Sequence, residues 1–299
     1  MVKPDVSIVI ISYNTKQITK NCLDSIVSSF KNSKLIYQII VVDNDSKDGS
    51  PELLKSFEKR HPTNIKIVLN NENTGFGKAN NQGVKIANSD YILLLNSDTV
   101  TLDDSIEKLF VYYKKNEGVV HFAGAKLFNK DMTPQPSTAP FFTPLVVFAA
   151  LFLRGDYWGL TRSSPNIEKK VGWVSGACIL TKKEYYNKIN GFDEGVFMYM
   201  DEVDLLYRAS LKGLNTYFFP EAKFIHIGFA SSASKSYPVI QVFRGLIYFY
   251  KKHYSKRAFF WLSIMLKLKA KVSLMIGKIT KNKYLTETYE KAFKMVEVA

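Results

Sequence analysis

The chain has 299 residues, 46% hydrophobic and 14% aromatic, so it can bury a large core and is too apolar for a disordered protein. The net charge is +14, but residues 251–299 carry twelve Lys or Arg against three Glu, a net +9. This concentration argues against a broad nucleic-acid-binding surface and predicts a local basic appendage. The two cysteines, Cys22 and Cys178, form no disulfide framework, and the N-terminus lacks a signal-peptide layout. We therefore expect a cytoplasmic protein in which both thiols are small core residues.

Apolar strand patterns alternate with helical patterns through the first part of the chain. The predicted strands are Val6 to Ser12, Tyr37 to Val42, Ile65 to Leu69 and the run from Tyr91, with Val119 to Leu127 as a further candidate. The predicted helices run through Ile18 to Phe30, Pro51 to His61, Gly75 to Ala87 and Leu102 to Asn116. This alternation predicts the α/β class, with a doubly wound, mostly parallel sheet and flanking helices.

The stretch Tyr91 to Val100, YILLLNSDTV, is the centre of this pattern. Its apolar run lacks alternation, as expected of a strand covered on both faces, and it ends abruptly in Asn96, Ser97 and Asp98. Ligands of open α/β sheets bind at the carboxyl ends of strands, where Asp98 could hold a divalent cation against a diphosphate. Taken alone, the tripeptide is better explained as a turn or as the cap of the helix that follows.

Polar side chains recur where the other strands end. Tyr13 and Asn14 follow the first strand, and Asp43, Asn44 and Ser46 follow the second. Because these ends meet at one edge of a parallel sheet, the three clusters together indicate a nucleotide site. The segment GFGKANNQG, from Gly75, adds a flexible entry and a helix N-terminus that attracts phosphate, although it is neither a Walker loop nor a dinucleotide fingerprint.

The second half of the chain is less regular. Phe141 to Leu153 is strongly apolar and too short to span a bilayer, so we expect a buried helix there, with a membrane-touching or acceptor-binding segment as the alternative. Ser163 to Lys170 has the composition of a polar loop. Val171 to Thr181 has a strand pattern interrupted by Gly176 and Ala177, which fits either a bulge or close approach of a substrate.

A cluster of acids and one histidine complete the candidate chemistry. Asp201 and Glu202 occupy the first turn of a predicted helix, where acids are favoured by the helix dipole, or where one of them could act as a general base. Asp204 and Arg208 are spaced to pair on one helix face. His226 follows the predicted strand Asn215 to Phe219, where it is either structural or a ligand for metal or diphosphate.

Taken together, these segments resemble the family 2 glycosyltransferases of the GT-A fold, and most closely a bacterial subgroup that includes rhamnosyltransferases. The resemblance covers roughly Val6 to Gly228 and is carried, in order, by VSIVIISYN, VVDNDSKDGS, NTGFGKANNQG, LLLNSDT, SGACIL, GFDE, MYMDEVDLLYR and His226. It implies a GT-A domain over residues 1–236, followed by a helical basic extension over residues 237–299.

The resemblance also implies an inverting, Mg²⁺- or Mn²⁺-dependent transfer from a nucleotide-diphosphate sugar, dTDP- or UDP-linked, to a hydroxyl in cell-surface polysaccharide synthesis. Asn96 to Asp98 stands at the family's D-x-D position, with Asn in place of the first acid, so Asp98 and His226 are the expected metal ligands. Family members usually have Glu-Asp where this chain has Asp201-Glu202, and by position Glu202 is the expected base. The expected acceptor side is formed by Trp173, Gly176 and Ala177. The expected nucleotide-binding residues are Ser12, Tyr13, Asn14, Asp43, Asn44, Ser46, Gly75, Phe76, Gly77, Asn80, Asn96 and Ser97.

The tail beyond Tyr237 lies outside the resemblance. Val239 to His253 has a helical pattern, and Ala258 to Leu266 is apolar and aromatic before Lys267, Lys269 and Lys271 interrupt it. These lysines disfavour a membrane span and favour a helix in the interface of an anionic membrane, which would suit a lipid-linked glycan acceptor. A helix packed on the catalytic domain, or a homodimer interface, is the alternative.

Two other functions fit parts of the pattern. A sugar-phosphate nucleotidyltransferase would need a glycine-rich basic loop after the first strand, but Ser12 to Gln17 has no glycine and one lysine. A degenerate domain that only binds nucleotide or glycan is a further alternative, which the presence of Asp98, Asp201, Glu202 and His226 disfavours.

Overall fold

The computed structural model describes residues 2–196, 199–228 and 237–299. Met198 of the acidic motif and the predicted domain boundary at residue 236 lie outside these ranges. The strands are β1 (Val6–Ser12), β2 (Tyr37–Asp43), β3 (Ile65–Leu69), β4 (Tyr91–Asn96), β5 (Thr99–Thr101), β6 (Phe122–Phe128), β7 (Pro134–Gln135), β8 (Thr138–Ala139), β9 (Lys169–Val171), β10 (Trp173–Val174), β11 (Cys178–Lys182) and β12 (Thr216–His226). The helices are α1 (Lys16–Ser29), α2 (Ser50–Arg60), α3 (Phe76–Ile86), α4 (Ser105–Lys115), α5 (Pro144–Phe152), α6 (Lys183–Lys188), α7 (Asp201–Leu211), α8 (Tyr237–His253), α9 (Lys256–Ile279) and α10 (Lys283–Glu297).

A mixed, mostly parallel sheet forms the centre of the protein. Its strand order is β3-β2-β1-β4-β11-β6-β12-β5, and the first four strands are mutually parallel. Strand β11 runs antiparallel to both β4 and β6, whereas β12 is parallel to β6. The predicted α/β class with a doubly wound sheet is confirmed.

Alternate residues of the central strands bury on opposite faces of the sheet. Ile8 and Ile10 of β1 lie in a core with helices α1, α2 and α4, whereas Val9 lies in the core on the other face. Both faces are covered, which explains why the sequences of these strands are apolar without alternation. Burial raises the pKa of the Cys22 thiol to about 12, as expected of a core residue.

The basic C-terminal helices pack in the core on the Val9 face of the sheet. Phe249 of α8, Leu262 of α9 and Ala292 of α10 are buried in the same cluster as Val9 and Leu94 of the sheet. One face of these helices therefore packs on the catalytic domain, which was the alternative to a membrane-bound tail. Residues 256–279 form the single helix α9, although the lysines interrupt its apolar pattern, and α10 lies within the helical extension expected over residues 237–299.

Strand β5 is the most consequential element missing from the sequence prediction. The predicted helix Leu102 to Asn116 begins only at Ser105, with Asp104 as its N-terminal cap, so the tripeptide Asn96 to Asp98 does not cap it. Instead, Thr99–Thr101 pairs antiparallel with the end of β12, with Thr99 opposite His226. This pairing is the reason that Asp98 and His226 lie together.

The irregular middle of the chain also differs from the prediction. Helix α5 was expected to be buried, but Val147 is its only fully buried residue, and Leu145 and Phe148 are exposed. The predicted strand Val171 to Thr181 is divided among β9, β10 and β11, with Gly176 and Ala177 in the link before β11. The predicted strand Asn215 to Phe219 continues through Pro220 to His226 as β12.

Candidate active site

A cavity of about 570 Å³ lies at the carboxyl ends of β1 and β4. Side chains from these strand ends, from the start of α7 and from the end of β12 meet there. Of the predicted site residues, those that line it are Tyr13, Asn44, Phe76, Asn96, Ser97, Asp98, Trp173, Gly176, Ala177, Asp201, Glu202 and His226. The topology therefore gathers residues as far apart in the sequence as Tyr13 and His226 into one cavity.

Asp98 and His226 form a close pair within this cavity. The imidazole Nε2 of His226 lies 3.3 Å from Oδ1 of Asp98, while Oδ2 of Asp98 accepts a hydrogen bond from the backbone N–H of Gly228 at 3.1 Å. The backbone carbonyl of Asp98 also accepts from the N–H of Ile227 at 2.9 Å. These contacts fix the carboxylate against the end of β12.

Gln135, which the sequence analysis missed, sets the tautomer of His226. The Nε2 amide of Gln135 donates to the backbone carbonyl of His226 at 3.2 Å, and since that carbonyl can only accept, the orientation of the amide is fixed. Its Oε1 then lies 2.7 Å from Nδ1 of His226 and must accept a hydrogen bond from the Nδ1–H. In the neutral ring, Nε2 is therefore the unprotonated nitrogen that faces Asp98.

This arrangement fits a divalent cation. A neutral Nε2 and a carboxylate oxygen, both lone-pair donors, face each other at 3.3 Å, which is the separation expected of two ligands on one metal ion. The hydrogen bond from the other ring nitrogen is the usual outer-sphere support of a ligating histidine. No cluster of three or more His, Cys, Asp or Glu suited to a metal occurs in the part of the chain that the structure describes. Mg²⁺ and Mn²⁺ bound with a nucleotide need fewer protein ligands because phosphate oxygens supply the remainder.

The two adjacent acids at the start of α7 occupy different environments. Asp201 is 4% exposed, and its Oδ2 has no hydrogen-bond partner. Burial, together with the neighbouring Glu202 carboxylate, raises the pKa of Asp201 well above its usual range. Glu202 is half-buried, and its side chain lies against Gly176, where an added Cβ would be 3.4 Å from Cβ of Glu202. Burial therefore disfavours the charged form of Asp201, whereas the side chain of Glu202 is the more accessible of the two.

Asp43 and its neighbours form a rigid turn after β2. Both oxygens of Asp43 accept from Ser46, one from the backbone N–H at 2.9 Å and one from Oγ at 2.7 Å. Ser46 Oγ in turn accepts from the N–H of Asn14 at 2.8 Å. This network ties the loop after β1 to the loop after β2.

Asn44 fixes the segment that leads into α3. Its Nδ2 donates to the carbonyl of Gly75 at 3.2 Å, and its Oδ1 accepts from Asn70 and Thr74. Nearby, the Oδ1 of Asn96 is buried without a partner, which leaves an acceptor available to a ligand in the cavity.

Some predicted nucleotide-binding residues do not line the cavity. They are Ser12, Asn14, Asp43, Ser46, Gly75, Gly77 and Asn80. Asn80 instead donates to the carbonyl of Phe76 at 3.0 Å, and an added Cβ at Gly77 would lie 3.0 Å from Cβ of Phe192. Direct contact of these residues with a nucleotide stays a prediction.

The opposite half of the cavity is apolar. Trp173 packs near Phe142, with ring centroids 5.7 Å apart, and donates its indole N–H to the carbonyl of Pro140 at 2.9 Å. Helix α5 contributes Val147, Ala150 and Leu151 to the wall. The sequence analysis named Trp173 for the acceptor side but did not identify the contribution of α5, for which an acceptor-binding role was the alternative that it left open.

Known proteins resemble this chain in sequence. A sequence model described as Glycosyl transferase family 2 matches residues 7–189, more than half of the chain. Rhamnosyltransferase WbbL of Escherichia coli is 28% identical over 230 residues, 74% of this chain and 83% of that protein. The N-acetylglucosaminyl-diphospho-decaprenol L-rhamnosyltransferase of Mycobacterium tuberculosis is 26% identical over 211 residues, 63% of this chain. The match spans 66% of the mycobacterial protein, just under two thirds of its length.

The fold also matches a solved structure. A mannosyltransferase of Pyrobaculum calidifontis, in complex with GDP-Man and Mn²⁺, superposes with a TM-score of 0.60 at 15% identity. The superposition covers 100% of this chain and 87% of that one. The sheet and its flanking helices therefore form a GT-A fold.

Proposed function

Because the chain belongs to glycosyl transferase family 2, we propose that it is a glycosyltransferase that transfers a sugar from a nucleotide-diphosphate donor to a hydroxyl group with inversion. The observation that carries the proposal is the presence of Asp98, His226 and Glu202 in one cavity at the carboxyl edge of the sheet. We further propose a glycan or lipid-linked acceptor in cell-surface polysaccharide synthesis, and a rhamnosyl donor as the first to test. The names of the E. coli and mycobacterial relatives support this choice.

The proposed metal dependence rests on the two side chains in the cavity that can ligate a metal ion. Asp98 and His226 would hold Mg²⁺ or Mn²⁺, and such an ion, when bound, neutralises the charge of the departing diphosphate. In the neutral ring, Gln135 selects the tautomer whose Nε2 lone pair faces that contact. The Mn²⁺ in the Pyrobaculum structure supports the choice of ions to test.

The acids of α7 have separate roles in the proposed reaction. Glu202 takes the proton of the acceptor hydroxyl as its oxygen bonds to the anomeric carbon, while the bond from that carbon to the diphosphate breaks. Attack and departure on opposite sides of the carbon give inversion. Asp201 is buried, and its raised pKa favours the neutral form beside Glu202.

A donor panel tests the reaction. Nucleoside diphosphate release is measured from dTDP-rhamnose, UDP-glucose, UDP-galactose, UDP-N-acetylglucosamine and GDP-mannose, with membrane lipid extract and with Mn²⁺, Mg²⁺ or EDTA. We expect release from one donor that requires the metal and the extract. Nucleotide binding without release from any donor would instead support the non-catalytic binding domain, and absence of binding would contradict both.

We also propose that α9 attaches the enzyme to the inner face of an anionic cell membrane. The face of α9 opposite its buried stripe is apolar and between 40% and 73% exposed, and it consists of Phe260, Trp261, Ile264, Leu268, Val272, Met275, Ile276 and Ile279. Helix α9 contains no acidic residue, and Lys267 and Lys271 border this face. An apolar stripe bordered only by cations suits an interfacial helix on anionic lipid. No helix in the described ranges is both long and apolar enough to cross a bilayer.

Vesicle co-sedimentation tests the membrane contact. We expect binding to phosphatidylcholine vesicles that contain phosphatidylglycerol, and loss of binding in Leu268→Glu. The control is Leu211→Glu, which changes an exposed leucine of α7 that lies off the stripe. Equal binding of both variants would contradict the assignment. A wild-type dimer that Leu268→Glu converts to a monomer would assign the stripe to a homodimer interface instead.

A further inference from the structure

Arg162 is a cation within the cavity whose hydrogen bonds are incompletely satisfied. One terminal guanidinium nitrogen donates to the carbonyl of Pro136 at 3.0 Å. The Nε–H is buried and has no partner. An unsatisfied donor on a charged group is costly in a folded protein unless a ligand completes it.

No carboxylate of the described residues forms an ion pair with Arg162. Asp156 also lines the cavity, but its carboxylate accepts from the hydroxyl of Thr161. The nearest aromatic contact places the guanidinium carbon 5.8 Å from the Trp173 ring. The charge of Arg162 is therefore available to an anion, and the planar guanidinium suits phosphate oxygens in particular.

The surroundings of Arg162 indicate which kind of anion would bind there. Trp173, Phe142 and the α5 residues Val147 and Leu151 form the apolar wall of the same cavity. A phosphate attached to an apolar chain would place its charge at Arg162 and its chain along this wall. The backbone carbonyl that accepts from Arg162 belongs to Pro136, the residue after Gln135, whose amide contacts His226. The diphosphate of the proposed sugar donor is therefore the competing ligand for Arg162.

We propose that Arg162 is the phosphate-binding residue of the acceptor subsite. This inference rests on the proposed glycosyl transfer to a lipid-linked acceptor and names the residue that recognises the acceptor's phosphate. The sequence analysis did not identify Arg162, because a single arginine in an irregular segment carries no recognisable pattern.

Binding of short isoprenoid probes tests the proposal without relying on turnover. Farnesyl diphosphate, farnesol and inorganic pyrophosphate are titrated into the wild-type protein and into Arg162→Gln in EDTA, so that no metal bridges the probe to Asp98. We expect farnesyl diphosphate to bind more tightly than either other probe, and Arg162→Gln to weaken it by about 10- to 100-fold. Arg162→Lys should lose less, because it keeps the charge.

The control is Arg154→Gln, which removes the same charge from an exposed position of the same connecting segment and should change the affinity less than about twofold. Binding of UDP and dTDP with Mn²⁺ is measured in parallel and should not change in Arg162→Gln. Equal loss in both arginine variants, or equal binding of farnesol and farnesyl diphosphate, would overturn the proposal. Weakened nucleotide binding with unchanged farnesyl diphosphate binding would assign Arg162 to the donor and overturn the acceptor assignment. A glycosyltransferase assay that fails while the Arg162-dependent binding persists would reject the reaction and leave the subsite in place.

Discussion

Replacing Asp204 with Asn should destabilise the protein far more than removing an ordinary surface acid. Asp204 lies on α7, three residues after Asp201, and its side chain is 1% exposed. It accepts hydrogen bonds from Arg208 Nε at 2.7 Å, Lys252 Nζ at 2.8 Å and His253 Nε2 at 2.6 Å. Lys252 and His253 belong to α8, so this one carboxylate joins the helix of the candidate base to the C-terminal helices.

The size of the effect follows from what remains unpaired. Removing one partner of a buried ion pair costs about 3–5 kcal/mol. The lower end applies here, because Lys252 keeps its ion pair with Asp193 and Arg208 keeps its hydrogen bonds to two backbone carbonyls. We expect a loss of about 3 kcal/mol, which lowers the Tm by roughly 6 °C in a chain of this length.

The pH dependence of stability supplies a second test. Burial alone raises the pKa of Asp204, but the hydrogen bonds from His253 and Lys252 and the charge of Arg208 outweigh it and hold the pKa well below its usual range. The stabilisation is therefore complete above the unfolded-state pKa of about 4 and is lost as the pH falls through the folded-state value. The difference between wild type and Asp204→Asn should shrink accordingly in acid.

Urea unfolding at pH 7, followed by circular dichroism, measures the loss. Asp24→Asn is the control, since Asp24 pairs with Lys20 at 2.6 Å on an exposed helix face. That pair should contribute less than about 1 kcal/mol. A loss in Asp204→Asn no larger than in Asp24→Asn would refute the reasoning.

Three further predictions concern the sheet, the buried acid and the metal pair. Asp201→Asn should stabilise the protein at neutral pH, because a carboxyl with a raised pKa favours folding only while protonated, and urea unfolding should show this gain disappearing as the pH falls toward about 4. Gly83→Ala should cost about 1–3 kcal/mol in the same assay, since the new Cβ would lie 2.4 Å from a buried valine methyl of β1, whereas Gly118→Ala, with nothing within 4 Å, should change little. Gln135→Ala should weaken Mn²⁺ binding in the presence of nucleoside diphosphate about 10- to 100-fold, because the ring of His226 loses its fixed tautomer. Electron paramagnetic resonance measures this affinity, and an unchanged value would show that Gln135 does not position the ring.

The sequence was most informative where one local pattern decides the structure. The apolar runs of β1, β2 and β4 are buried on both faces and so lack alternation. Tyr13 after β1 and Asn96 to Asp98 at the end of β4 line one cavity, whereas Asn14 does not. The predicted pairing of Asp204 with Arg208 is confirmed at 2.7 Å because it depends only on helix geometry. The additional partners of Asp204 come from α8 and could not be read from α7 alone.

Features that depend on long-range pairing were not predictable from local pattern. The three-residue strand β5 has no signal of its own and forms because β12 offers an edge to Thr99–Thr101. Gln135 lies 91 residues from His226 and meets it only because β7 joins the sheet beside β6. Helix α5 was expected to be buried because its sequence is apolar, but an apolar helix that lines a cavity and faces outward has the same composition.

The most direct test of the central claim separates binding from turnover in Glu202→Gln and Asp98→Asn. Donor affinity, nucleoside diphosphate release and sugar transfer are measured with Mn²⁺ on the donor that the panel identifies. Glu221→Gln, a change at an exposed residue of β12, serves as the control. We predict that Glu202→Gln keeps donor affinity within about twofold and loses turnover by at least about 100-fold, whereas Asp98→Asn loses the metal-dependent part of donor affinity. Turnover in Glu202→Gln close to that of Glu221→Gln would contradict the assignment of Glu202 as the base.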